Sequence, residues 1–324
     1  MQSIILAAGK GSRLLPFTLK RSKAMLPILG KPMVERVMDS IIANGIDEFI
    51  LVVNPDDGEI IQYFEKESHL KANFRFVNQT DQKGMAHALS LAAPLISDNF
   101  LLSACDNLVA SEDINLLIRA WKFNPKYAAV LALIQMPRDQ IVYSAMVQMN
   151  GTRVLEIKEK PTPGEIVSET ASLPLYLFSQ QILEYLPGVQ PSPRGEYDLQ
   201  DAIQIMINQG NEIGGQFVSG RLTITTAEDL LAVNLNYLMK GDEVFQLSPR
   251  SLGTNTNLVK PVYIETGTTI GSECLIGPNV YIEKNCLIGD KVHLRNAVVL
   301  RGTNIPDGSV IENSIVNDQS LPTS

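Results

Sequence analysis

The 324-residue chain is poor in the side chains on which several common kinds of active site depend. It has three histidines, so a zinc site or a histidine-based catalytic triad has little to draw on. Its three cysteines, Cys105, Cys274 and Cys286, lack metal-binding spacing, and an odd number of scattered thiols suits a reducing compartment. These shortages favour an active site built from residues other than histidine and cysteine.

Long apolar runs and an excess of positive charge are also missing. The longest apolar runs, such as Ala128 to Ile134, are too short to cross a bilayer, and no basic stretch followed by an apolar core opens the chain. The formal net charge of −8 disfavours nucleic-acid or anionic-membrane binding as the main function, because both require a basic surface. We therefore expect a cytoplasmic protein that binds neither nucleic acid nor a membrane.

Up to about Met239, short β-branched runs alternate with amphipathic stretches, which is typical of a mostly parallel sheet covered by helices. We predict a Rossmann-like α/β fold for residues 1–239, in which ligands bind beyond the carboxyl ends of the strands. The predicted strands are Ile4 to Ala7, Phe49 to Val53, Phe74 to Val77, Phe100 to Ala104 and Ala128 to Ile134. The predicted helices are Met33 to Ala43, Glu59 to Glu67, Met85 to Ile96 and Asp113 to Lys122.

The C-terminal part has a different period. Small or β-branched residues, including Cys274 and Cys286, lie between regularly spaced aliphatic residues, and this position favours core packing over thiol reactivity. The pattern is that of the hexapeptide repeat of a parallel β-helix, predicted here for residues 258–318 after a linker over 240–257. Exposed ends of such a coil favour a homo-oligomer. The aliphatic residues at six-residue spacing are Ile264, Ile270, Ile276, Ile282, Ile288, Leu294 and Leu300.

The segment from Leu6 to Met33 combines a glycine-bearing turn with two cations. Glycines at alternate positions let the backbone pass close to an anion, with consecutive N–H groups pointing inward. Arg13 and Lys23 then supply the positive charge that a developing pyrophosphate requires. The spacing matches neither GxxxxGK[ST] nor GxGxxG, so neither a P-loop nor a dinucleotide fingerprint fits. The candidate binding residues here are Leu6, Ala8, Gly9, Gly11 and Ser12.

Together with Pro16, Thr18, Leu26 and Pro27, these residues strongly resemble the signature of the sugar-1-phosphate nucleotidyltransferases, glucose-1-phosphate thymidylyltransferase among them. Such enzymes join a nucleoside triphosphate to a sugar phosphate and release pyrophosphate. The resemblance implies a fold of the nucleotide-diphospho-sugar transferase type, followed by a short left-handed β-helix. It also implies catalytic roles for two cations, with the β and γ phosphates held by Arg13 and the α phosphate by Lys23.

Two further segments resemble the family on its nucleotide and metal side. In QTDQKGMAHAL the matching positions are Gln79, whose amide would pair with a pyrimidine edge, and Gly84, which would let the backbone approach. An amide donates and accepts at once, which suits thymine or uracil. On the same segment His87 is expected to be a packed or surface residue. Asp106, after an apolar strand, matches the family's Mg²⁺-binding aspartate.

The sugar side shows both matches and departures. Glu159 and Lys160 match an EKP element that contacts the sugar hydroxyls and phosphate, and Arg194 could reach the acceptor phosphate. Ser144, Ser172 and Pro174 stand where the family has two glycines and an asparagine, although Ser144 and Ser172 remain candidate sugar-binding positions. Thr223 replaces a second metal-binding aspartate, and Cys105 replaces a glycine before Asp106.

Three functions follow with different support. The favoured one is transfer of a nucleoside monophosphate from dTTP or UTP to glucose 1-phosphate, with Mg²⁺ as cofactor; guanine remains open as a base. The alternative is a catalytically weakened, nucleotide-binding regulatory homologue, because the departures cluster on the sugar and metal side. Acyl transfer by the β-helix is disfavoured, since His293 is the single candidate base in the tail.

Overall fold

The structure, a computed structural model, describes residues 1–241, 245–247 and 251–320. The chain divides into two compact units. The first comprises Met1–Gly9 and Val37–Leu222, and the second comprises Lys10–Arg36 and the chain from Thr223 onward. Across the described ranges, no helix is both long enough and apolar enough to span a bilayer.

The first unit, all of which is described, is built on a nine-stranded sheet with the spatial order β3-β2-β1-β4-β8-β5-β9-β7-β6. One half is parallel, from β3 through β4, and β5 is parallel to β9, whereas β8 runs antiparallel to β4 and β5. The α/β fold is thus confirmed, with a mixed sheet. The strands are β1 (Gln2–Leu6), β2 (Glu48–Val53), β3 (Asn73–Asn78), β4 (Phe100–Ala104), β5 (Tyr127–Gln135), β6 (Ala145–Asn150), β7 (Arg153–Glu159), β8 (Thr170–Phe178) and β9 (Glu212–Phe217).

The predicted helices are present, with two differences at their ends. The helix predicted over 59–67 ends at Gln62 and continues as a π-helical turn, Tyr63–Glu67. The helix predicted over 85–96 ends at Ala92, because Pro94 has no amide hydrogen and the chain tightens into a 3₁₀ turn. The helices are α1 (Met33–Ile42), α2 (Gly58–Gln62), α3 (Met85–Ala92), α4 (Ser111–Phe123), α5 (Arg138–Ile141), α6 (Ile182–Tyr185), α7 (Leu199–Asn208) and α8 (Ala227–Lys240).

The core of the first unit lies between its sheet and helices α3 and α7. Side chains such as Ile4, Leu102 and Phe178 from the strands pack with Leu89 and Ile203 from the helices, and all are fully buried. Burial of apolar surface on this scale holds the strand ends in fixed positions. The loops that follow those ends are therefore held on a rigid scaffold.

The C-terminal part of the second unit is a parallel β-helix. In its described residues, short strands about one turn apart pair in parallel, for example β11 with β14, β14 with β17, and β13 with β16. The strands are β10 (Phe245–Leu247), β11 (Ser251–Leu252), β12 (Asn257–Leu258), β13 (Val262–Ile264), β14 (Thr269–Ile270), β15 (Leu275–Ile276), β16 (Val280–Ile282), β17 (Leu287–Ile288), β18 (His293–Val299), β19 (Asn304–Ile305) and β20 (Val310–Val316).

Two features of this coil differ from the prediction. Strands β10 and β11 lie within residues 240–257, predicted as a linker, and pair with β13 and β14, because the same repeat begins earlier than its aliphatic pattern shows. Of that linker, residues 242–244 and 248–250 lie outside the described residues. The six-residue period also fails at Leu300: Ile282 pairs with Val299, which joins the coil's core, while Leu300 is buried outside it.

The cysteines of the coil behave as the repeat predicts. Cys274 and Cys286 are buried in its core, and burial raises the pKa of the Cys286 thiol to about 12. A thiol with so high a pKa is a poor nucleophile near neutral pH. Their role is to fill space in the coil.

The segment Lys10–Arg36 is held to the C-terminal part of the second unit by buried polar contacts. The Asn234 side chain of α8 accepts a hydrogen bond from the Leu29 amide and donates to the Pro27 carbonyl. Arg21 donates two hydrogen bonds to Glu283 of the coil, at 2.7 and 3.0 Å. Residues far apart in the sequence thus fix the loop that carries the predicted catalytic cations.

Candidate functional site

A pocket of about 480 Å³ opens in the first unit beyond the carboxyl ends of its strands. Leu6 ends β1, Ala104 ends β4 and Glu159 ends β7, so the pocket lies where the α/β fold predicts a ligand. Eight of the predicted site residues line it: Leu6, Ala8, Gly9, Gln79, Gly84, Ser144, Glu159 and Ser172.

The predicted nucleotide side of this pocket is held by the loop after β3. Gln79 is 5% exposed, and its amide group donates to the Gly84 carbonyl at 3.2 Å. Gly84 has φ of +95°, and a Cβ there would lie 2.6 Å from the Tyr197 carbonyl oxygen, so this position requires glycine. Gln82, which sequence reasoning missed, donates to the Ala8 carbonyl and ties this loop to the strand end.

The remaining phosphate-loop residues, Gly11, Ser12, Arg13 and Lys23, belong to the second unit. Gly11 has φ of +62°, and a Cβ there would lie 2.9 Å from the Lys23 Cβ, so the turn closes tightly on the lysine. Thr18 secures the turn by donating to the Gly11 carbonyl at 2.9 Å. Arg13 is exposed and Lys23 half-buried.

The predicted sugar side is centred on Glu159. Burial raises the pKa of the Glu159 carboxyl to about 7, and the neighbouring Lys160 offsets this only in part. The Lys160 amide donates to the Ser144 carbonyl at 2.9 Å, which joins the EKP element to a second predicted sugar position. The Lys160 side chain is exposed and, unlike Glu159, is not part of the pocket lining.

Arg194, the predicted phosphate ligand, pairs with two acidic residues. Its guanidinium is exposed and pairs with Asp198 at 2.8 Å and Glu196 at 3.5 Å, and those two carboxylates line the pocket while Arg194 does not. The prediction of Arg194 as a phosphate ligand stays a prediction.

Sequence reasoning missed a buried polar group on the floor of this pocket. Tyr176 is fully buried, and its hydroxyl accepts a hydrogen bond from the Gln200 amide at 3.2 Å. Burial raises the pKa of Tyr176 well above its ordinary value, so its hydroxyl stays neutral. The side chains of Tyr176 and Gln200 line the pocket together with Ser172. A tyrosine or a glutamine in an apolar stretch gives no functional signal by its residue type alone.

A second missed residue is Arg221, a half-buried cation in the pocket lining. Its guanidinium lies 3.5 Å from the Asn107 side-chain oxygen. Burial lowers the pKa of Arg221, and the charge of Asp106 raises it in part, so the two charges lie close together. The signal was present in the sequence, since Arg221 precedes the Thr223 departure by two residues.

Asp106 follows β4 by two residues and is half-buried, so the structure places it at the expected strand end. Its neighbour Cys105 packs as a buried residue and donates its amide to the Leu6 carbonyl at 3.1 Å, which keeps the strand end regular despite the larger side chain. Thr223, at the position of the second aspartate, belongs to the second unit.

Asp106 suits a magnesium ion whose other ligands come mainly from a bound nucleotide. Among the residues described, no group of three or more His, Cys, Asp or Glu side chains could hold a metal ion. Mg²⁺ keeps several waters and is commonly bound through one or two carboxylates plus substrate phosphates. One half-buried carboxylate therefore fits an ion that arrives with a nucleotide.

Two family models together match most of the chain. The nucleotidyl transferase family model matches residues 2–239, and the model of the GMPPB C-terminal domain matches residues 258–321. The bifunctional protein GlmU of Methanococcus aeolicus is 31% identical over 99% of this chain and 74% of its own length.

UTP--glucose-1-phosphate uridylyltransferase AglF of Haloferax volcanii is 31% identical over 71% of this chain and 93% of its own length. A crystal structure of apo UDP-glucose pyrophosphorylase superimposes with a TM-score of 0.67 at 19% identity, covering 74% of this chain and 99% of that one, and this likeness concerns the fold. The first 239 residues account for most of the chain and match one family model throughout. The chain belongs to the nucleotidyl transferase family.

Proposed function

We propose that the protein transfers a nucleoside monophosphate from UTP or dTTP to a sugar 1-phosphate, with glucose 1-phosphate favoured, and releases pyrophosphate. The observation that carries this proposal is that one pocket is lined both by Gln79 and Gly84, the predicted base-binding residues, and by Glu159 and Ser172, predicted sugar-binding residues. The likeness to the Haloferax volcanii uridylyltransferase supports the choice of UTP and glucose 1-phosphate.

The chemistry requires charge stabilisation more than proton transfer. A phosphate monoester has a second pKa near ~6, so the attacking oxygen is already ionised at neutral pH and needs no general base. The nucleophile attacks the α-phosphorus and pyrophosphate leaves, while fixed cations and backbone donors offset the repulsion among phosphates. In the roles that the resemblance implies, Arg13 binds the β and γ phosphates, Lys23 the α phosphate, and Gly9 and Gly11 supply amides.

Asp106 would hold Mg²⁺ together with the phosphates of a bound nucleotide. A bound ion would offset negative charge on the phosphates. Arg221, a cation resident beside Asp106, adds positive charge to the same region. We therefore expect a magnesium dependence that is set by the nucleotide complex.

The test is pyrophosphate release with UTP, dTTP, GTP and CTP against a panel of sugar 1-phosphates, with and without Mg²⁺. The proposal expects Mg²⁺-dependent release with UTP or dTTP and at least one sugar phosphate. Asp106→Asn should raise the Mg²⁺ concentration needed for half-maximal release, and Asp139→Asn, which changes an exposed carboxylate of α5, serves as the matched control. Silence across the whole panel would contradict the proposal.

The regulatory alternative is favoured by the Thr223 departure, because a hydroxyl cannot replace the charge of a second metal-binding carboxylate. A regulatory homologue would bind an NTP or a nucleotide sugar in the same pocket without turnover. Calorimetry with the same nucleotides separates the two functions: binding without pyrophosphate release supports the regulatory protein.

The buried carboxyl of Glu159 predicts a pH dependence of sugar-phosphate binding. Its pKa is raised to about 7, so the carboxylate that accepts hydrogen bonds from sugar hydroxyls forms only above that pH. We expect KM for the sugar phosphate to fall by about tenfold as pH rises through this value. Initial rates measured from about pH 6 to about pH 8.5 check the prediction.

The substrate also ionises in this range, near ~6, so the matched control is Glu159→Gln, in which that ionisation alone remains. The ratio of KM between this variant and the wild-type protein isolates the carboxyl. If the ratio stayed constant across the range, Glu159 would have no such role.

We also propose that the β-helix assembles the protein into a homo-oligomer. Within the described residues, β20 pairs on one side with β18, and its Val310 side chain is 67% exposed. An unpaired strand edge beside exposed apolar surface favours self-association. Sedimentation should therefore give a mass above that of one 35.6 kDa chain, and a single species of that mass would contradict the proposal.

A further inference from the structure

His87 contacts Gln79, the residue expected to read the base. The Gln79 Nε2 atom lies 3.1 Å from His87 Nδ1 and 3.2 Å from the Gly84 carbonyl oxygen. His87 comes from the first turn of α3, and Gln79 lies in the loop that follows β3. The contact was not expected from the sequence, which predicts a packed or surface histidine.

The Gly84 carbonyl determines which atom of the Gln79 amide faces it, the nitrogen or the oxygen. A carbonyl can only accept, so the amide nitrogen must be the atom beside it. The carbonyl itself is held in place, because Gly84 has no room for a side chain against Tyr197, whose own amide and carbonyl pair with Lys83 and Ala86. The orientation of the amide thus follows from the backbone around it.

The second proton of the Gln79 amide then determines which ring nitrogen of His87 carries a proton. Because Nε2 must donate, Nδ1 of His87 accepts, and the imidazole is neutral with its proton on Nε2. Both protons of the Gln79 amide are engaged, one by Gly84 and one by His87. In the part of the chain that the structure describes, no hydrogen bond to Gln79 Oε1 is found, and Gln79 lines the pocket.

We infer that His87 is a positioning residue for base selection, since it holds the Gln79 amide so that Oε1 alone is offered to the base. The sequence predicts an amide that both donates to the base and accepts from it, whereas here the nitrogen is already engaged. A lone acceptor still suits a base with a ring N–H, which uracil and thymine have at N3. Cytosine has a ring lone pair at that position, and a facing oxygen repels it. The inference rests on the proposed function, because it assumes that an NTP occupies this pocket.

The chain offers a matched set of variants. His87→Leu puts a methyl group where Nδ1 was and frees one amide proton of Gln79, so the amide can turn its nitrogen to the base. His87→Asn keeps an acceptor, Oδ1, on the same Cγ position. Ser90→Ala lies one turn further along α3 and removes a hydroxyl that donates to the His87 backbone carbonyl and not to Gln79.

The experiment measures kcat/KM for UTP and for CTP with the full-length protein, and the dissociation constants of both nucleotides by calorimetry. We expect the preference for UTP over CTP to fall roughly tenfold in His87→Leu, through weaker UTP binding and stronger CTP binding, while kcat with UTP changes little. His87→Asn should restore most of the preference, and Ser90→Ala should leave it unchanged.

If the role of His87 were merely structural, His87→Leu would weaken the binding of both nucleotides equally. It would also lower the melting temperature, which is measured in parallel. An unchanged UTP-to-CTP ratio in His87→Leu, or no rescue by His87→Asn, overturns the inference while leaving the proposed function intact. If the wild-type protein binds neither nucleotide, the proposed function fails and the inference fails with it.

Discussion

Replacing Lys23 by alanine is expected to lower kcat for nucleotidyl transfer by about 10²- to 10³-fold, the range typical for loss of one preorganised charge-stabilising donor. The ammonium that this substitution removes would act on the α-phosphate, where negative charge is redistributed as the new bond forms. Lys23 is half-buried, and its Cβ and Cγ lie against the Gly11 turn, so packing fixes the base of its side chain before the substrate arrives. A preorganised cation stabilises the transition state without reorganisation at the moment of reaction.

The measurement is steady-state pyrophosphate release under saturating UTP and sugar phosphate. Lys20→Ala is the matched control, because Lys20 is an exposed cation of the same loop, and its loss changes the net charge equally. We expect the control to change kcat by less than about twofold, since exposed charges are largely screened. An equal effect of the two substitutions would mean that Lys23 acts through the general charge of the loop, contrary to the proposed role.

Much of the scaffold follows from local patterns. Strands β1 to β5 were predicted to within two residues at each end, because buried parallel strands are short, continuous apolar runs between turn signals. The hexapeptide period predicted the inward positions of the coil up to Leu294. It failed at Leu300, because a coil shortened by one residue is invisible to a pattern in which Val298, Val299 and Leu300 are all aliphatic.

The parts of the site that sequence reasoning missed depend on contacts between distant residues. Tyr176 follows Pro174 and Arg221 precedes Thr223, two departures from the family pattern, yet only the fold brings both side chains to one pocket. His87 belongs to a motif, but its role depends on the rotamer of Gln79 and the position of one carbonyl. A linear pattern contains residue types and spacing; it does not contain the direction of a side chain.

The pairing of Arg21 with Glu283 is the most distant of these contacts and predicts the largest effect on stability. The two residues are 262 positions apart, both are buried, and two hydrogen bonds join them in bidentate geometry. Glu283 also accepts a hydrogen bond from the Arg301 amide at 2.7 Å. Removing the carboxylate would leave a buried guanidinium and a backbone amide without this partner.

Glu283→Ala should destabilise the second unit by about 3–5 kcal/mol, the range for breaking one side of a buried ion pair. We expect the melting temperature to fall on the order of 10 °C in a thermal unfolding experiment. The exposed pair of Lys158 and Glu165 supplies the control: Lys158→Ala, which leaves the contacts of Glu165 with Thr162 intact, should change the melting temperature little. Equal melting temperatures for Glu283→Ala and the wild-type protein would contradict the prediction.

A double variant tests whether the ion pair also positions the loop that carries Lys23. Arg21→Met combined with Glu283→Leu removes both charges and should recover most of the lost stability, because apolar groups of similar volume often replace a buried pair at little cost. Arg21 lies two residues before Lys23, so a loop that has lost its anchor should position the ammonium less well. We therefore expect Glu283→Ala to lower kcat even at temperatures well below its melting transition, whereas the double variant, with the loop packed again, should regain activity along with stability.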